Sequence, residues 1–267
     1  MKRILILVKG FLLNLQFFTA IPIRAALPMD KTHLDGSIKT FPLVGLLQGL
    51  LYSLVLYLLL NWTPLSSVAV AFAIWLLTIV VTGGLHLDGW MDASDAYFSY
   101  QSQEKRLEIM KDPRTGAFGV LSVIILLSSR FLFIYEITTY MTMATYLLVI
   151  FLPFLSKGVM GMVLVTVQAA KKEGLAYLFQ EAGNGRSLVV YPIYLVLVGG
   201  AFLYRWSGIF VPILILLIIT ILCYAWVRVK AVKWFGGITG DVLGASVEGT
   251  ELMLWMTLWL LHCFAMV

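Results

Sequence analysis

From Thr40 to Leu87 the chain carries no Asp, Glu, Lys or Arg. A soluble fold must show charged side chains to water along any stretch of that length, so this segment has no water-facing side. A bilayer tolerates it, provided that every backbone N–H and C=O is paired within the protein. The rest of the chain agrees: 61% of residues are hydrophobic and the mean hydropathy is +0.94. Apolar runs at 41–60, 65–84, 116–136, 141–167, 188–204, 207–227 and 252–266 are each near the ~20 residues that a helix needs to cross. The expected fold is all-α, a polytopic transmembrane helical bundle of about seven spans forming a single integral-membrane unit over residues 1–267. Pro153 and Lys157 interrupt the 141–167 run, which is expected to kink or divide there.

The first apolar stretch, Ile4 to Ile23, is broken by Lys9, Asn14 and Gln16, a pattern that suits an interfacial or partly inserted helix as well as a span. Lys2 and Arg3 ahead of it imitate a secretory signal, but no small-residue cleavage site follows closely, and it reads as retained. Loops 24–40, 85–115, 168–187 and 228–251 hold thirteen Lys and Arg, whereas the alternate loops hold only Arg205. The positive-inside rule makes the basic loops cytoplasmic. Every acidic residue except Glu136 is expected on that side too. The net charge of +5 is therefore a topology signal, and with no basic and aromatic stripe a nucleic-acid partner is excluded. Cys223 and Cys263 lie in apolar spans and read as packing residues.

Against this background Gly83-Gly84-Leu85-His86-Leu87-Asp88-Gly89-Trp90-Met91-Asp92-Ala93-Ser94-Asp95 stands out. On a helix Asp88, Asp92 and Asp95 fall at i, i+4 and i+7, within one narrow arc. Three carboxylates so placed repel one another unless a cation compensates them, and oxygen-only ligands suit Mg²⁺ or Mn²⁺ better than zinc. The competing reading is a solvated acidic helix at the membrane surface. His86 diverges from Asp88 by about 200° on a regular helix, and joins the site only if Gly83-Gly84 breaks the span.

A second helix is expected over Glu104 to Asp112, ending before Pro113. It places Glu104, Glu108 and Asp112 on one face, with Lys111 and Arg114 near its end. Carboxylates for a metal and cations for phosphate oxygens are what a metal–diphosphate site requires; the alternative is an ordinary salt-bridged surface helix. A third element, Gly236-Gly237-Ile238-Thr239-Gly240-Asp241-Val242-Leu243-Gly244, serves equally for anion approach to backbone N–H groups or for close helix packing through Gly240 and Gly244. Arg130 and Lys157 within spans need internal partners.

Leu85-His86-Leu87-Asp88-Gly89 with Asp92 and Asp95, then Arg106-Leu107-Glu108-Ile109-Met110-Lys111-Asp112 and Gly116-Ala117-Phe118-Gly119, resemble the cobalamin synthase (adenosylcobinamide-GDP ribazoletransferase) family. Phe18-Thr19-Ala20-Ile21-Pro22, Phe41-Pro42-Leu43-Val44-Gly45 and the 236–241 loop match in order, so the likeness covers nearly the whole chain. One departure is Ala96, where the family usually has glycine, and it puts the local turn in question. The resemblance implies a late-cobalamin-pathway phosphotransferase that joins adenosylcobinamide-GDP to α-ribazole, or to its 5′-phosphate, and releases GMP. It implies Mg²⁺ as cofactor, those two small molecules and the lipid bilayer as partners, and leaves a homo-oligomer open. By residue type, Asp88, Asp92, Asp95 and Asp112 are the expected metal side, and Glu108 or His86 the expected proton acceptor. Lys111, Arg114 and Arg106 are expected on phosphate oxygens, and Thr239, Gly240 and Asp241 against a substrate.

Two other readings compete with this one. The signature of a CDP-alcohol phosphotransferase begins correctly at Asp88-Gly89 but is not completed by the residues that follow. A polytopic secondary transporter would explain Arg130, Lys157 and Pro153, but such folds favour related halves and midplane ionisable groups. Neither halves nor a midplane carboxylate cluster is legible here.

Overall fold

The computed structural model describes residues 2–264, and among them the secondary structure is helical, with one isolated bridge between Ala169 and Ile238. The helices are α1 (Lys2–Phe18), α2 (Lys31–Trp62), α3 (Ser67–Thr82), α4 (Leu85–Phe98), α5 (Gln103–Ile109) and α6 (Ala117–Thr139), followed by α7 (Met143–Thr166), α8 (Gly174–Ala182), α9 (Val190–Arg205), α10 (Phe210–Phe235) and α11 (Gly240–Cys263). Five helical segments are long and apolar enough to cross a membrane: α2, α6, α7, α9 with its leading 3₁₀ turn, and α10. The pair α3 and α4 makes a sixth if counted as one broken span. This is fewer than the seven expected. The last run extends back to Gly240, and Asp241, Glu248 and Glu251 lower the hydropathy of α11.

α7 is the central column, buried along most of its length. Pro153 sits inside it without dividing it. A Cβ on Gly45 would meet the Pro153 carbonyl and one on Gly49 the Ile150 backbone, so these two glycines let α2 lie directly on α7. One apolar cluster gathers Tyr52, Ile74, Phe151, Leu216 and Trp255; a second, toward the basic loops, gathers Ile38, Phe41, Ala96, Val163, Phe179 and Val247.

Glu248 and Glu251 are not in a basic-side loop, contrary to expectation. They are buried in α11, where Glu248 pairs with Arg130 of α6 and Glu251 accepts a hydrogen bond from Ser156 at 2.9 Å. Lys157 is buried beside them. Charges so deep in an apolar bundle persist only in mutual company.

α1 packs on the first turns of α2: a Cβ on Gly10 would strike the Gly36 and Ser37 backbone, and Asn14 donates to Thr40 at 3.0 Å. At 1.5 Å per residue α2 is about 48 Å long, so its first turns and α1 stand at the basic end of the bundle.

Candidate active site

Gly83 and Gly84 both adopt left-handed conformations, with φ of 63° and 77°, that other residues seldom take. They end α3 and turn the chain through 86°. α4 consequently turns away from the direction of α3 and lies across the basic end of the bundle, against the starts of α6 and α11. It is one unbroken helix to Phe98, so Asp88, Asp92 and Asp95 do share a face. Ala96 is fully buried within it, and the chain turns instead at Tyr100, with φ of 56°.

The three aspartates have different neighbours. Asp95 accepts the Gly116 N–H on Oδ2 and the Gly119 N–H on Oδ1, both at 2.7 Å. It thereby supplies a tertiary cap for the free N–H groups at the start of α6. A Cβ on either glycine would collide with that carboxylate, which accounts for the Gly116-Ala117-Phe118-Gly119 sequence.

Asp88 and Asp92 turn toward α11. Gly89 lies against the Asp241 backbone, where a Cβ would meet the carbonyl oxygen at 2.8 Å; Gly244 lies against the His86 backbone at 3.2 Å. Two small residues thus let α4 cross the first turns of α11 and bring Asp241 beside Asp88. Gly244 serves packing, while Gly240 has open space around it. Thr239 caps α11 by accepting the Val242 N–H, and its hydroxyl donates to Asp241 Oδ2 at 3.3 Å. None of Asp88, Asp92 and Asp241 has an ion-pair partner among the described residues. Burial, then Asp88, Asp241 and Asp95 in that order, push the Asp92 carboxyl up to about 6. No three His, Cys, Asp or Glu groups stand at metal-binding distance among the described residues. The cluster is an uncompensated set of oxygen donors, the hard-ligand chemistry that suits Mg²⁺.

Two adjoining cavities flank Asp241. One, of about 290 Å³, is lined by Met110, Lys111, Lys171, Glu173, Thr239 and Gly240 among others. The other, of about 130 Å³, is lined by Asp88, His86 and a set of apolar side chains that includes Phe18, Phe41 and Phe179. Asp241, Gly240, Leu175 and Ala176 belong to both walls. His86 is buried, and that burial, with Lys157 nearby, holds its imidazole well below its ordinary pKa and so neutral. A larger cavity of about 660 Å³ lies on the opposite face of α4, lined by Trp90, Tyr97, Phe118, Trp226 and Trp234. It has no carboxylate in its wall, and size alone does not make it a reaction site.

The second predicted helix is shorter than expected. α5 ends at Ile109, so Asp112 is off the helix and no longer shares a face with Glu104 and Glu108. Asp112 is clasped by Arg114, whose Nε and Nη2 donate at 2.9 and 2.6 Å, and this holds the Asp112 carboxyl at about 2. Glu108 pairs with Lys105 at 2.7 Å at the surface and lines neither cavity beside Asp241. Arg106 donates to the Trp234 and Tyr97 carbonyls at 3.1 and 3.3 Å, tying α5 to α10 and α4. Lys111 pairs with Glu173 at the rim of the polar cavity. Lys171, counted in the sequence only as a basic-loop charge, is the second lysine of that cavity; burial and neighbouring Lys111 lower its pKa. Its loop is stitched to the glycine loop by the 2.9 Å bonds Ala170 N–H to Ile238 and Ile238 N–H to Gln168.

The family model described as cobalamin-5-phosphate synthase (CobS) matches residues 10–259. Curated relatives named adenosylcobinamide-GDP ribazoletransferase share this length. The protein of Geobacillus sp. (strain WCH70) is 39% identical over 97% of this chain and 98% of its own. That of Halalkalibacterium halodurans is 35% identical over 94% and 95%, and that of Clostridioides difficile 32% over 95% and 98%. The chain belongs to the cobalamin-5-phosphate synthase family. No solved structure matches it. Within the family frame, Phe18 and Phe41 fall in the motifs that carried the resemblance, yet neither residue type announces a role. Phe179 and Lys171 had no signal beyond hydrophobicity and charge.

Proposed function

We propose that this membrane enzyme joins adenosylcobinamide-GDP to α-ribazole, or to its 5′-phosphate, at the junction of the two cavities beside Asp241. The activity for which the relatives are named supports the substrates. The observation that carries the placement is the pair of carboxylates, Asp88 and Asp241, from two helices at the mouth of a cavity whose neighbour holds two lysines.

Asp88 and Asp241 would hold Mg²⁺, with Asp92 beside them. The bound ion would neutralise a diphosphate and stabilise the departing GMP. Lys111 and Lys171 hold phosphate oxygens of the GDP arm in the polar cavity. The ribose 3′-hydroxyl of α-ribazole attacks the phosphorus that bears the cobinamide arm. A new P–O bond forms, the bond to the bridging oxygen breaks, and GMP leaves with that electron pair. Asp92, beside this pair on the same helix as Asp88, takes the hydroxyl proton. Asp95 and Asp112 have both oxygens committed to backbone or arginine donors and are left out of the metal set, and Glu108 is left out as proton acceptor. The basic end faces the cytoplasm by the positive-inside rule. Purified protein in nanodiscs should release GMP from adenosylcobinamide-GDP only when α-ribazole and Mg²⁺ are both added. GMP release that ignores α-ribazole, or none under any condition, would overturn the assignment and return the transporter reading.

A further inference from the structure

The smaller cavity has a composition that phosphate chemistry does not require. Phe18, Phe41 and Phe179 form three mutually contacting pairs, with ring centroids 5.5 to 6.1 Å apart. Phe18 also stacks on the His86 ring at 6.0 Å with the planes within 16°. His86 lines the same cavity, is only 2% exposed, and its Nε2 has no hydrogen-bond partner among the described residues. A buried donor left unmatched costs free energy, and a native fold keeps one where a ligand will satisfy it. At about 130 Å³ the cavity is close to the about 150 Å³ that accepts a benzene ring, the scale of a flat aromatic group and far below that of a corrin. Asp88 and Asp241 stand in its wall, which sets a group bound here next to the reacting centre.

We infer that this cavity is the subsite for the bicyclic base of the incoming riboside, and that His86 selects it by donating Nε2–H to the base's free ring nitrogen. The inference rests on the function proposed above and adds to it a base-recognising residue. Benzimidazole attached through one nitrogen has one remaining ring nitrogen, an acceptor, and no other polar group. That matches the unpartnered ring nitrogen of His86 beside the three phenylalanine rings.

The test is direct binding of ribosides to the full-length protein in nanodiscs, followed by fluorescence with no adenosylcobinamide-GDP present. α-Ribazole should bind about tenfold or more tightly than the matching indole riboside, in which carbon replaces the acceptor nitrogen; this is the scale of one buried hydrogen bond. His86→Phe should erase that preference while leaving adenosylcobinamide-GDP binding unchanged. Equal affinity of the wild-type protein for the two ribosides would overturn the inference, as would an undiminished preference in His86→Phe. Because the wild-type comparison needs no variant, a poorly folding substitution does not shelter the idea. GMP release alongside equal riboside affinities would remove the subsite and leave the proposed function standing; absence of GMP release would remove the function itself.

Discussion

Asp95 and Asp88 are seven positions apart on one helix and are expected to fail in opposite ways when neutralised. Asp95→Asn keeps one acceptor oxygen but turns an NH₂ toward a backbone N–H, so the start of α6 loses a cap worth about 1–3 kcal/mol. Thermal unfolding in detergent should show the loss, with activity falling only as stability does. Asp88→Asn relieves repulsion with Asp92; it should unfold no earlier than the parent, and GMP release should be abolished. Asp92 supplies the pH dependence. Its folded-state pKa, about 6, is above the ordinary 3.8, so the metal-free protein binds this proton more tightly when folded and loses stability as pH rises from about 4 through about 6. Asp92→Asn should flatten that loss in a pH series of unfolding temperatures. The helical phase of these residues was legible because it is set locally by 3.6 residues per turn. Which donor each carboxylate meets was not, because Gly116 and Gly119 come from another helix and Asp241 from the far end of the chain.

At the scale of elements, glycine placement governs where helices meet. Gly89→Ala would force a Cβ to within 2.8 Å of the Asp241 carbonyl oxygen, backbone against helix, with no side chain free to yield. α4 must then move off α11 by a fraction of an ångström to about an ångström. Misplacement of that size costs about a hundredfold in turnover when reacting groups are held for attack. The expected result is a large fall in kcat with membrane insertion intact, and steady-state kinetics on the purified variant checks it. The break at Gly83-Gly84 was legible from sequence, since paired glycines before a polar helix are a local signal. The early end of α5 was partly legible: Pro113 forbids continuation, but the clasp of Asp112 by Arg114 takes the chain out of helix sooner than proline alone requires. Ala96 shows the reverse case. A missing glycine implied an altered turn, whereas alanine favours helix and the turn moved on to Tyr100.

For the whole molecule, the apolar stretches announced a membrane bundle, because chain-long hydropathy needs no tertiary information. The extent of α11 was misjudged since Glu248 and Glu251 look like loop residues until Arg130 and Lys157 are brought to them. That layer makes its own prediction. Arg130→Met strands Glu248 in the bundle interior and should cost about 3–5 kcal/mol, whereas Arg130→Met with Glu248→Met should restore much of the loss, because a packed apolar pair avoids the desolvation of both charges. Unfolding temperatures of the single and double variants decide it. Most of what remains depends on one joint between distant parts of the fold, where α4 crosses α11 and two aspartates face a common cavity. Mn²⁺ titration by electron paramagnetic resonance, with adenosylcobinamide-GDP bound, measures that joint directly. One tight Mn²⁺ site should appear in the parent protein and vanish in both Asp88→Asn and Asp241→Asn, while retention of that site in either variant would contradict the account.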